Sequence, residues 1–211
     1  PPAGPRSERT SPAVRIVGAF PAAQPPTAGE HRLTRIIDWL DHAVELGTSG
    51  IALGPVFASR THGYDTTDHY RIDPRLGDDS DFDRLVSEAH RRGLRVLLDG
   101  VFNHLSSDST FFDRYGHYAT MGACESATSE FRSWFYFTDV TAGTGTCVGS
   151  DGTPKGARYE GWFGFDSIPV INKAGPATSP VWQYFLTGSD AIAKQWLEAG
   201  AGGWRMDVSG D

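Results

Sequence analysis

The apolar positions of this chain follow two alternating rhythms. Short runs of consecutive apolar residues, Val14–Phe20, Gly50–Pro55, Leu94–His104 and Gly203–Val208, read as strands buried on both faces. Between the first two runs, Leu33, Ile36, Ile37, Leu40, Ala43 and Val44 recur at helical spacing, and Gly47 supplies a C-terminal stop. Ser80 and Asp83 make a capping-box-like start to a second helix that ends at Gly93, and helical spacing returns over Pro180–Ala199. Pro21–Gly29 reads as a Pro/Ala connection and Val56–Gly77 as a long polar one. Strand–helix alternation of this kind predicts a parallel α/β sheet or barrel.

The rhythm breaks after His104. Leu105–Ser179 carries no such alternation, is rich in aromatic residues and holds both cysteines. A stretch this long greatly exceeds an ordinary βα loop of about 2–6 residues, which predicts an inserted functional subdomain. The division expected is a flexible lead-in over 1–12, where four prolines cluster, then strands and helices over 13–104, an insertion over 105–179, and a last helix and strand over 180–211.

Composition narrows the partners. The net charge is −7, with no concentrated basic surface for phosphates, so no nucleic-acid partner is expected. No run approaches the roughly 20 apolar residues a membrane span requires, and the N-terminus lacks the basic-then-apolar plan of a signal peptide; a soluble chain with no membrane partner is expected. Cys124 and Cys147 lie in a polar, glycine-rich segment where a buried free thiol would be unusual. They read as one disulfide and hence as a sign of secretion, the alternative being two unrelated thiols.

Polar residues at the ends of apolar strands are expensive to keep unless they face a ligand, and in parallel α/β architectures the carboxyl ends of strands form the site. Asp99, Asn103 and His104 end the third strand, and Arg205 and Asp207 sit two apart on the fourth, facing the same side. An arginine beside a carboxylate favours its ionised form, as a carboxylate nucleophile requires. A structural ion pair fits the same pattern equally well, and a lone strand-end histidine is commonly structural. Asn103 offers an amide oxygen to a metal or a loop, and His104 a donor to a substrate hydroxyl. Tyr64, beside Gly63, could lie flat against a sugar ring or simply pack. The histidines at 62, 69 and 104 have neither H-x-H nor H-E-x-x-H spacing, so no zinc site is expected. No organic cofactor is expected either.

Taken together, these stretches resemble the α-amylase family of glycoside hydrolases. Asp99-Gly-Val-Phe-Asn-His104 is similar to its signature D-x-x-x-N-H, Gly203-Trp-Arg-Met-Asp207 to G-x-R-x-D, and Gly63–Tyr70 to the segment that supplies a stacking tyrosine. The resemblance covers residues 14–211 and implies a TIM (β/α)8 barrel, of which this chain holds about the first four strands, with a B domain inserted after the third. It implies Asp207 as nucleophile, Arg205 as its electrostatic partner, Tyr64 and His104 as sugar contacts, Asp99 as a carboxylate at the edge of the site, and Asn103 as a calcium ligand if calcium is bound. The implied reaction is retaining hydrolysis of an α-glucan.

Ile168–Asn172 resembles a further family signature but ends in Asn where typical α-amylases have Asp, which is closer to the neopullulanase, cyclomaltodextrinase and amylopullulanase group. That group implies α-1,4 and often α-1,6 links, and the neutral amide puts calcium in question. The general acid of the family follows a fifth strand, so the chain is expected to be a fragment needing the other half of the barrel, inactive alone. A non-catalytic carbohydrate-binding half-barrel, and a transglycosylase or isomerase of the same family, are the alternatives.

Overall fold

The computed structural model describes residues 14–16, 30–138, 145–149 and 151–208. The lead-in, most of the first apolar run and the Pro/Ala connection lie outside them. Four strands, β1 (Val14–Ile16), β2 (Gly50–Leu53), β5 (Arg95–Gly100) and β9 (Gly203–Met206), form one sheet in the order β1-β2-β5-β9, every neighbour pair parallel. This is the strand order of consecutive units in a (β/α)8 barrel. Ile51, Leu53, Val96 and Leu98 are buried, as strands covered on both faces require.

The elements between these strands differ from expectation in four places, the first three of them before β5. Over the first helical pattern the chain winds as a 3-10 helix, Leu33–Trp39, and only then as α1 (Leu40–Glu45); Leu33, Leu40 and Ala43 are buried while Trp39 and Val44 are exposed. Gly47, at φ +73°, terminates it. The polar connection instead folds as a hairpin, β3 (Phe57–Ser59) against β4 (Thr66–Ile72). Its apolar alternation is disguised because the buried positions of β4 include Thr66 and His69, whose polar atoms bond to the Gly63 and Val101 carbonyls. The second helix, α2 (Asp79–Arg91), begins earlier than Ser80 and Asp83 suggest: Asp78 and Asp81 form the capping box, each carboxylate accepting from the other's backbone N–H at 3.0 and 3.1 Å. Several acidic residues there are able to cap, and Asp78 has the extended backbone a cap needs. Phe82, Leu85, Val86 and Ala89 on α2 pack onto the core.

Between β5 and β9 lies a second cluster built on a three-stranded antiparallel sheet: β6 (Phe137–Thr138), β7 (Gly145–Val148) and β8 (Pro154–Tyr159), in the order β6-β8-β7. Phe112, Phe135, Phe137 and Tyr159 pack ring to ring beneath it. Cys124 and Cys147 are joined by a disulfide, with their Cα atoms 5.3 Å apart. An isolated antiparallel bridge of His104 with Val170 fastens the returning chain just past the end of β5, and one of Phe135 with Ile171 holds it to the insertion itself. The return to the sheet runs through α3 (Pro180–Trp182), a π-helical stretch Gln183–Thr187 and α4 (Ile192–Glu198), rather than one continuous helix. Gly188 and the extended Ala191 interrupt it. Among the described residues no helix is long and apolar enough to cross a membrane.

Candidate active site

Parallel pairing of β5 with β9 sets Asp99 directly opposite Arg205, so both side chains leave the sheet on the same face at its carboxyl end. Asp99 is buried, at 1% exposure, and its carboxylate accepts from Arg205 Nη1 at 2.8 Å and from the Tyr64 hydroxyl at 3.4 Å. The same Arg205 nitrogen donates to Asp207 Oδ1 at 2.5 Å. The hydrogen bond to Asp99, reinforced by that to Asp207, raises the Arg205 pKa above its ordinary value. Asp207 sits one residue past β9, its N–H donating to the Gly100 carbonyl at 3.1 Å, and the next residue, Val208, takes φ +52°. A β-branched residue in the left-handed region is strained, and such strain concentrates at functional positions.

His104 is fully buried, and burial pushes its imidazole down to about 4, so it is neutral at pH 7. As a neutral ring its Nε2–H donates to the Tyr64 carbonyl at 3.0 Å while its Nδ1 accepts from the Asn103 amide at 3.3 Å. Both nitrogens therefore have partners, and the sugar-hydroxyl contact the resemblance implies would have to displace one of them. What His104 does here is hold Tyr64 by its backbone and support Trp162, whose ring stacks on it at 5.0 Å. The Tyr64 ring is half-buried at the same rim.

The remaining predicted residue, Asn103, is buried, and its side-chain oxygen accepts from the Lys173 ammonium at 2.6 Å. A calcium ion drawn to that oxygen would lie against a fixed positive charge, so the residues present do not fit the metal. Of the remaining histidines, His62 lies near Asp65 on the exposed loop, and His69 is packed among Phe57, Phe102 and Phe185. The described residues contain no group of three or more His, Cys, Asp or Glu able to hold a metal.

Beside this cluster opens a cavity of about 430 Å³ lined by Asn103, Tyr136, Glu160, Trp162, Phe163 and Lys173 among others. Phe163 is 79% exposed and takes φ +48°, a strained conformation that turns an aromatic ring outward at the mouth. Lys173 was not legible as a site residue; its one signal is rarity, since only three lysines occur in the chain. Trp162 and Phe163 stood among many aromatic residues of the insertion, with nothing local to mark them.

Comparison with known proteins bears on the family. The family description "Alpha amylase, catalytic domain" matches residues 19–162. An amylopullulanase of Thermoanaerobacter thermohydrosulfuricus is 40% identical over 198 residues, and neopullulanase 2 of Thermoactinomyces vulgaris is 32% identical over 180; each match covers 85% of this chain. The chain spans 12% of the first relative and 27% of the second. Among solved structures, the cyclic α-maltosyl-(1→6)-maltose hydrolase of Arthrobacter globiformis in complex with maltose superposes with a TM-score of 0.70 at 28% identity, over 94% of this chain and 44% of that one. With its D-x-x-x-N-H and G-x-R-x-D ends paired across two parallel strands and a family match over most of its length, the chain belongs to the α-amylase family of glycoside hydrolases.

Proposed function

We propose that this chain carries the nucleophile-bearing part of the catalytic barrel of a retaining α-glucan hydrolase acting on α-1,4 and α-1,6 links. The observation that carries the reading is Arg205 wedged between Asp99 and Asp207 at the carboxyl ends of neighbouring parallel strands. Asp207 Oδ attacks the anomeric carbon as an acid protonates the glycosidic oxygen; the leaving sugar departs and a glycosyl ester forms. Water, deprotonated by the same acid residue now acting as base, then releases the sugar with its α configuration retained. Asp99 is committed to Arg205, and the family resemblance sets the acid after a fifth barrel strand, so we assign the acid there. Tyr64 and the Trp162–Phe163 wall offer flat apolar surfaces to sugar rings, and polar groups around them, including Glu160, suit hydroxyls. The α-1,6 assignment leans on relatives named amylopullulanase and cyclic α-maltosyl-(1→6)-maltose hydrolase. We also assign the protein to an oxidising, extracytoplasmic compartment, on the disulfide.

The test is to assay the enzyme encoded by the complete reading frame on maltotriose and pullulan, beside its Asp207→Asn variant. Glucose and maltose from the parent, with a loss of about 10³-fold or more in the variant, are expected. Equal rates would remove Asp207 from the chemistry, and longer oligosaccharides from maltotriose would make the enzyme a transglycosylase. Resistance of Cys124 and Cys147 to alkylation in protein from its native host, denatured without reductant, checks the compartment reading; labelling of both would overturn it.

A further inference from the structure

The joint between the end of β5 and the returning chain closes at Asn103 from two sides. Its backbone carbonyl accepts from the Ile171 N–H at 2.9 Å, and Lys173, two residues on, reaches its side-chain oxygen at 2.6 Å. Asn103 is 4% exposed, so that oxygen needs a donor or a cation. A hard metal would satisfy it by gathering several oxygen ligands and shedding its water. An ammonium on a four-carbon stem brings three donors and a point charge with no ion to capture.

We infer that Lys173 is a built-in cation which takes, at this joint, the Asn103 oxygen that the family resemblance offers to calcium. The Asn103 amide so held orients His104 through Nδ1, and His104 in turn fixes the Tyr64 carbonyl and the Trp162 ring. Lys173 is thus a positioning residue for the rim, touching no substrate in this role. The inference stands whether or not the site hydrolyses a glucan, because it concerns what holds the joint.

Thermal melting of the full chain in excess EDTA and in millimolar calcium chloride tests it. The wild-type melting temperature is expected to be the same in both, and Lys173→Met to lower it by about 5 °C in both alike. Lys173→Asp, which sets a carboxylate beside the Asn103 oxygen, is expected to melt low in EDTA and to recover in calcium. A wild-type protein that melts lower in EDTA, stoichiometric calcium uptake by calorimetry, an unshifted Lys173→Met, or a Lys173→Asp indifferent to calcium would each overturn the inference. If Lys173→Met fails to fold, the wild-type comparison still decides.

Discussion

Arg205 and Asp99 are register partners on adjacent parallel strands, and one guanidinium nitrogen bridges from the buried Asp99 to Asp207. The carboxylate proposed to attack is therefore oriented by an arginine that is itself anchored on the neighbouring strand. Lysine keeps the charge but not the rigid fork. Arg205→Lys is expected to lower kcat about 100-fold with little change in KM, and Arg205→Ala also to destabilise by about 3–5 kcal/mol, since it takes the guanidinium away from the buried Asp99 carboxylate. Steady-state kinetics and denaturant unfolding check the two effects; a loss confined to KM would mean that Arg205 binds substrate instead.

Phe163 turns an exposed ring toward the mouth of the cavity beside Trp162, at a backbone cost. If that ring is a sugar platform, Phe163→Ala lowers kcat/KM for long maltooligosaccharides by about tenfold while sparing the shortest cleavable substrate. Phe163→Gly, which relieves the left-handed strain as well, is expected to be more stable than Phe163→Ala. Chain-length profiles that superpose with wild type would remove the platform and leave the strain unexplained.

His69 and His104 are both held below the ordinary histidine value by burial, to about 3 and about 4. The unfolded chain takes up protons near pH 6.5 that the folded chain refuses. Their contribution to stability is thus complete above about pH 6.5 and is lost as pH falls toward 4 and then 3. His69 Nδ1 is buried without a hydrogen-bond partner, and aromatic rings surround it. His69→Phe is therefore expected to flatten the fall in melting temperature between pH 6.5 and 4.5, at a cost of about 1 kcal/mol at pH 7.5 for the donor lost to the Val101 carbonyl. A wild-type slope in the variant would place the acid sensitivity in other groups.

The Cys124–Cys147 bridge ties β7, the edge strand of the small antiparallel sheet, to a segment 23 residues earlier in the chain. Reduction is expected to destabilise that segment by about 3 kcal/mol through the freedom returned to its unfolded chain. Hydrogen exchange should show the loss concentrated in β7 and β8, with β2 and β5 protected. Uniform loss across the parallel sheet would mean that the two clusters unfold as one.

The four-strand parallel order and the family were legible because each rests on local information. A strand buried on both faces must be apolar along its whole length, and a polar residue at its end is conspicuous. Asp99, Arg205 and Asp207 stood out for that reason. The hairpin at Phe57–Ile72 stayed hidden because its buried positions include Thr66 and His69, acceptable only once neighbouring carbonyls meet them.

What the chain determined by itself is the sheet and the identity of the polar residues at its rim, since burial pattern and strand register follow from side chains a few positions apart. What only the tertiary structure decided is who partners whom: that His104 spends its nitrogens on Tyr64 and Asn103, that Trp162 stacks on His104, and that Lys173 takes the Asn103 oxygen from 70 residues away. Such pairings depend on distance and desolvation in the folded rim, and no spacing along the chain encodes them.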